Sequence, residues 1–343
     1  MNRPMMDPTF VPDVAAKRRH IPLGRWMAKG AKWFWNWLLT NPLAIRRPGD
    51  EPVRWPLLKV GIRMAICWSI LLPILLGAVV MLTVYMGTHP TQLPIVAEPT
   101  SQGVYFEPAT LSSIDGTQLA AWLVPAIDAR RVVEEKDRTL HLSHPAIVLV
   151  HDYGRTMQQM LPLVRPLHDE GIMVLVLGLR GSGSGSTSAQ TFGLNESKDV
   201  MAAVDLLRQT AFVDGKRIAV AGVGTGANAA LIAASRDNNI RAVVLADMLP
   251  NCDGVVASRL TPSEPWLHWL RPICRRVFEM ECDVDANDLD STRYAALLKT
   301  RPVLVLAGQE GITNAEPTTL NRIKLFCRSQ LDTQTAPQLG SAW

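Results

Sequence analysis

The sequence predicts an α/β domain, a mostly parallel sheet with helices on both faces, preceded by one transmembrane helix. Three observations lead there. Short, wholly apolar runs such as Pro145–Val150 alternate with stretches of helical spacing, the pattern of a parallel sheet covered on both sides. A glycine-rich turn, Gly222-Val223-Gly224-Thr225-Gly226, joins one such run to an alanine-rich helical stretch. Met64–Met86 forms a run of 23 residues without a charge.

That run extends roughly 35 Å at about 1.5 Å per residue, enough to cross a hydrocarbon core of about 30 Å with some tilt. Pro73 inside it is tolerated in a membrane helix. A buried core helix would be shorter and less uniformly apolar. The run begins some 60 residues into the chain and no convincing small-x-small cleavage site follows, so residues 61–87 read as an uncleaved anchor. Residues 1–63 hold 12 Lys/Arg against four acids, and after the run the next Lys or Arg is Arg130. This asymmetry predicts a single-pass protein of the inner (cell) membrane, with a cytoplasmic N-terminus and an extracytoplasmic main domain. The formal charge of +4 divides into +8 (12 minus 4) before residue 64 and −4 (23 minus 27) after it. The basic part is thus a membrane-proximal arm suited to anionic lipid, and nucleic acid is not an expected partner.

The expected organisation is a cytoplasmic basic arm over 1–60, the anchor over 61–87, a linker over 88–100 and the α/β domain over 101–325. An insert at about 250–297 and an irregular tail over 326–343 complete it. Within the arm, residues 22–42 interleave Trp26, Trp33, Trp35 and Trp37 with Arg25, Lys29 and Lys32. Tryptophan and basic residues together suit a helix lying at the lipid interface. In the domain, Tyr105–Ser112 and Leu119–Val124 flank Asp115-Gly116, a hairpin signal. Strands follow at Pro145–Val150, Ile172–Leu177, Ile218–Ala221, 241–246 and 302–307. Helical spacing covers 196–210 and 226–235. The five cysteines (67, 252, 274, 282 and 327) fit no zinc pattern. A Cys274–Cys282 or Cys252–Cys274 disulfide and free thiols stay equally open. Asp283, Asp285, Asp288 and Asp290 read as a solvated loop rather than a calcium site, so no metal and no cofactor is expected.

Several segments in order resemble the α/β-hydrolase superfamily, in particular its membrane-associated bacterial members. Asp115-Gly116-Thr117-Gln118-Leu119-Ala120-Ala121-Trp122 is similar to the opening of their domain. Val148-Leu149-Val150-His151-Asp152-Tyr153-Gly154 resembles the strand and loop that contribute to the oxyanion hole. Arg180-Gly181-Ser182-Gly183-Ser184 resembles the loop after the next strand. Val213 to Ala227 resembles the strand leading to the nucleophile elbow, G-x-S-x-G. Arg301 to Gly308 resembles the strand that delivers the acid. The resemblance covers roughly residues 101–325.

It also implies a degenerate triad. The elbow reads Gly222, Gly224, Thr225, Gly226, with Gly224 where the nucleophilic serine belongs. The acid position after Gly308 falls on Gly311, leaving Glu310 as the shifted candidate. None of the histidines, at 20, 89, 141, 144, 151, 168 and 268, follows the acid strand. Losing the nucleophile or base of a serine hydrolase costs about 10⁶ in turnover. The expected function is therefore a membrane-anchored binding or scaffolding domain of hydrolase fold, without catalysis. It would engage lipid through residues 22–42 and 61–87 and a small-molecule or protein ligand of unstated identity through the domain. The alternative is an esterase or peptidase with a displaced nucleophile, Thr225, Ser182 or Ser184, and Glu310 as acid. A third class is nucleotide binding at the glycine turn, with Asp247 as the acidic residue about 21 positions on.

Overall fold

The computed structural model describes residues 56–126, 143–182, 188–249, 251–298, 301–306 and 317–331. The expected interfacial helix at 22–42, Ser184, Glu310 and the tail beyond 331 lie outside the described residues. The chain divides into two units, Met1–Leu76 and Gly77–Trp343. Helix α1 (Pro56–Thr88) runs through the division, with Pro73 inside it. Its stretch Val60–Thr88 is long and apolar enough to cross a membrane. In the first unit Trp68, Ile70, Leu71 and Ile74 are exposed. In the second unit the helix has two faces. Val80, Val84 and Thr88, spaced i, i+4, i+8, are buried, whereas Met81, Leu82, Tyr85 and Met86 are exposed.

The second unit is built on a seven-stranded sheet of order β1-β2-β4-β3-β5-β6-β7. Strands β1 (Glu107–Ser112) and β2 (Gln118–Val124) form the expected hairpin. Its turn is held by Asp115, whose carboxylate accepts the Thr117 N–H, and by Gly116 at φ 84°. β2 pairs antiparallel with β4 (Met173–Leu177). From there the sheet is parallel through β3 (His144–Val150), β5 (Val213–Val223), β6 (Ile240–Ala246) and β7 (Val303–Leu306). Every residue of β4 and all of β3 after His144 are buried, which is why these strands read as unbroken apolar runs.

Helices α2 (Leu161–His168), α3 (Glu196–Gln209) and α4 (Thr225–Arg236) connect the strands. The insert between β6 and β7 is a helical cap of α5 (Cys252–Arg259), α6 (Arg271–Cys282) and α7 (Ser291–Leu297). One expectation is corrected at the C-terminal end. Helix α8 (Pro317–Gln330) runs into the stretch read as an irregular tail from 326. It is ordered by burial of Ile323, Cys327 and Leu331 in the main core.

A buried ion pair ties the sheet edge to α3. Arg180, just past β4, donates to both oxygens of Asp199, at 2.5 and 3.0 Å, and to Asp115 at 2.7 Å. Asp199 is fully buried and Arg180 nearly so. Burial opposes the guanidinium charge, but Asp199 and Asp115 more than offset it. Burial would likewise raise the Asp115 carboxyl, yet the hydrogen bonds from Arg180 and Thr117 hold it well below the usual carboxylate range.

Candidate functional site at the strand β5 to helix α4 turn

The site lies at the carboxyl ends of β3, β5 and β6, where ligands bind in open parallel sheets. A single residue, Gly224, separates β5 from α4, at φ 55°, ψ −116°. This backbone conformation strains any residue with a side chain. The flanking glycines serve a different need. A Cβ at Gly226 would meet the carbonyl oxygens of His151 at 2.5 Å and Val150 at 2.6 Å, so only glycine lets α4 start this close to β3. The strand–turn–helix geometry of an elbow is therefore complete although the serine is not there.

The space above Gly224 is filled by the chain itself. A Cβ on Gly224 would fall inside the Asp152 carboxylate, against Oδ1 and Cγ and 2.7 Å from Oδ2. Asp152 Oδ1 accepts the backbone N–H of Tyr153 at 2.7 Å and of Thr225 at 2.8 Å. These are the N–H of the residue after the elbow position and an N–H of the loop after β3. In this elbow geometry that pair forms the oxyanion hole, with donors about 2.7–3.1 Å from the anion. The carboxylate also sits at the positive end of α4. Asp152 is fixed from behind, since its own N–H donates to Gln159 Oε1 at 2.7 Å.

The neighbouring sequence-predicted residues have structural partners. His151 is fully buried. Its Nε2 accepts the Leu179 N–H at 3.1 Å, which leaves Nδ1 to donate to the Asp152 carbonyl at 2.8 Å. Burial lowers the imidazole to about 4, so it is neutral at physiological pH and holds two loops together. Tyr153 stacks on Phe192 at 5.4 Å, lies under the Arg259 guanidinium, and donates its hydroxyl to the Gly87 carbonyl at 2.8 Å. Gly154 takes φ 65° beside Pro90. Thr225 is fully buried and its Oγ1 has no hydrogen-bond partner among the described residues, so the Asp152 carboxylate holds its N–H and not its hydroxyl. Ser182 is buried and donates to the Leu179 carbonyl at 2.5 Å. Among the described residues no group of three or more His, Cys, Asp or Glu side chains could hold a metal ion. Asp285 and Asp290 cap short helical turns and Asp288 pairs with Arg293. Cys274 and Cys282 are free thiols, and burial pushes Cys282 and Cys327 up to about 12.

His151 makes acid stability a test of this packing. The unfolded chain binds a proton on this histidine below about pH 6.5, the native state only below about pH 4. Between those values the unfolded state holds more protons, so stability falls as pH is lowered. Two and a half units correspond to about 3 kcal/mol, lost progressively from pH 6.5 to 4. Glu196, fully buried and raised by that burial, works in the opposite direction within the same range, above about pH 4.5. Urea midpoints across this range should fall for the wild-type protein, and a His151→Asn variant should show a flatter profile.

The sequence pointed to Asp152 only as part of the loop after β3. Its carboxylate as the occupant of the hole depends on a contact across 73 positions of chain. The pair His151-Asp152, with the acid where the loop approaches Gly224, is the signal that could have found it.

A family profile described as the prolyl oligopeptidase family matches residues 160–271. No curated protein sequence matches the chain. Among solved structures, two crystal forms of the Pyrococcus furiosus esterase Pf2001 superpose with TM-scores of 0.51 and 0.52 at 16% identity. They cover 71% of this chain and 99% and 97% of theirs. Oligopeptidase B from Leishmania major aligns more loosely, with a TM-score of 0.45 and 13% identity over 68% of this chain and 37% of its own. Strand order, elbow geometry and the esterase superposition give this chain the α/β-hydrolase fold.

Proposed function

We propose that this chain is a single-pass membrane protein whose outer α/β-hydrolase domain binds or scaffolds without hydrolysing. The observation that supports it is the Asp152 carboxylate seated on the Tyr153 and Thr225 N–H groups, over an elbow residue with no side chain. Acyl transfer needs a nucleophile, a base and an empty hole for the developing oxyanion. Here the hole already holds an anion, and Gly224 offers no atom for attack. A substrate carbonyl oxygen would have to displace a carboxylate that makes two short, charge-assisted hydrogen bonds at a helix N-terminus. The same occupancy bears on nucleotide binding, because the Thr225 N–H that a pyrophosphate would use is taken.

The charge asymmetry supports a cytoplasmic arm and an outer domain, with residues 22–42 and 61–87 contacting lipid. The displaced-nucleophile alternative draws no support from Thr225, whose Oγ1 has no hydrogen-bond partner among the described residues, or from Ser182, whose hydroxyl donates to the Leu179 carbonyl. A fluorophosphonate probe separates the readings, because it labels any activated serine or threonine. The full-length protein in detergent should remain unlabelled at probe concentrations that saturate a serine esterase. Stoichiometric labelling mapped to Thr225, Ser182 or Ser184 would sink the proposal.

A further inference from the structure

The cap carries an exposed aromatic face that the site does not use. In the helical turn Pro265–Leu270, Leu267 and Leu270 point inward and are buried. Trp266 and Trp269, on the opposite side, are 71% and 58% exposed. Ile273, one turn further on, is also exposed, and Arg271 lies between them with its side chain in solvent. Two large exposed tryptophans beside an isoleucine and an arginine are unusual for a surface facing only water. Tryptophan with arginine is the composition of a membrane interface, where the ring is half in hydrocarbon and its N–H reaches the headgroups.

The position of this face relative to α1 supplies the second argument. The 29 residues Val60–Thr88 extend about 43 Å at about 1.5 Å per residue, against a hydrocarbon core of about 30 Å. Counting about 20 residues from Arg63, the last charge before the apolar run, brings the helix to the membrane surface near Thr83. Beyond it Val84 and Thr88 are buried against the folded domain, whereas Tyr85 and Met86 are exposed. Gly87 lies so close to the cap that a Cβ would collide with the Arg259 carbonyl and reach the Leu260 side chain at 2.9 Å. Leu260 is five residues before Pro265. The cap is thus joined to the helix within about two turns of its exit from hydrocarbon.

We infer that the Trp266–Trp269–Ile273 face of the cap is a second membrane contact, seated in the headgroup region of the bilayer that α1 crosses. The inference rests on α1 being a membrane span. It makes the cap a lipid-facing element. Arg271 supplies a cation that suits phosphate headgroups.

The test uses the full-length protein in nanodiscs containing a phospholipid with a diazirine on its acyl chain, followed by peptide mapping of the adducts. Adducts are expected on 64–83 and on 265–273. A Trp266→Ser/Trp269→Ser variant should lose the second set and keep the first, with an unchanged thermal midpoint because both side chains are exposed. Adducts on 64–83 alone would overturn the cap contact while leaving the anchor in place. Adducts on neither segment would overturn both. Cap peptides cross-linked to a second copy of the chain instead of lipid would assign the face to self-association and also overturn the proposal.

Discussion

Replacing Arg180 with methionine should lower the stability of the α/β domain by about 3–5 kcal/mol, the cost of stranding a buried charge. The variant leaves the Asp199 carboxylate fully buried with only the backbone N–H of residue 180, at 3.3 Å, in place of three donors. Asp115 loses its 2.7 Å partner as well, so the hairpin turn loosens with it. For a domain of this size the thermal midpoint should fall by roughly 10 °C. Replacing both partners, Arg180→Met with Asp199→Leu, should recover much of the loss, because an apolar pair removes the desolvation problem instead of exposing it. A midpoint unchanged in the single variant would mean that the network is solvated and unimportant.

The second large effect is expected at the elbow. Gly224→Ser should destabilise by about 2–6 kcal/mol, from about 1–3 for overpacking and about 1–3 for a side chain in this backbone conformation. The overpacking has one source, the Asp152 carboxylate. Asp152→Gly alone leaves two part-buried N–H groups without their acceptor, at up to about 1–3 kcal/mol each. In the double variant the serine enters the space the carboxylate left, so the two costs should fall short of their sum by about 2 kcal/mol. Additive effects in denaturant titrations would show that Asp152 does not occupy the elbow. Restoring the serine should not restore hydrolysis, since the Asp152 carboxylate holds the Tyr153 and Thr225 N–H groups that an oxyanion would need.

The sequence reveals most where a residue's environment is uniform. β3 and β4 are buried throughout, so their runs of Ile, Val and Leu could belong only to a covered sheet. The glycines at 222, 224 and 226 announced an elbow because close packing and a strained φ each exclude a side chain there. Helix α8 was harder to read. Only Ile323 and Cys327 of its 14 residues are fully buried, and threonine, asparagine and proline dominate its start. Gly224 at the elbow was visible in the sequence, whereas the Asp152 carboxylate against it was not. That contact exists only once the loop after β3 is folded against the start of α4. The link from Tyr153 to Gly87 was hidden for the same reason, because it joins a loop to the end of α1 across 66 positions.

The most direct test of the account is turnover by the full-length protein in detergent with a panel of activated short-chain esters, alongside its Asp152→Ala and Thr225→Ala variants. The account predicts rates equal to buffer for all three. Saturable turnover by the wild-type protein that Thr225→Ala abolishes would contradict it, and would mean that the elbow works around threonine with Asp152 displaced.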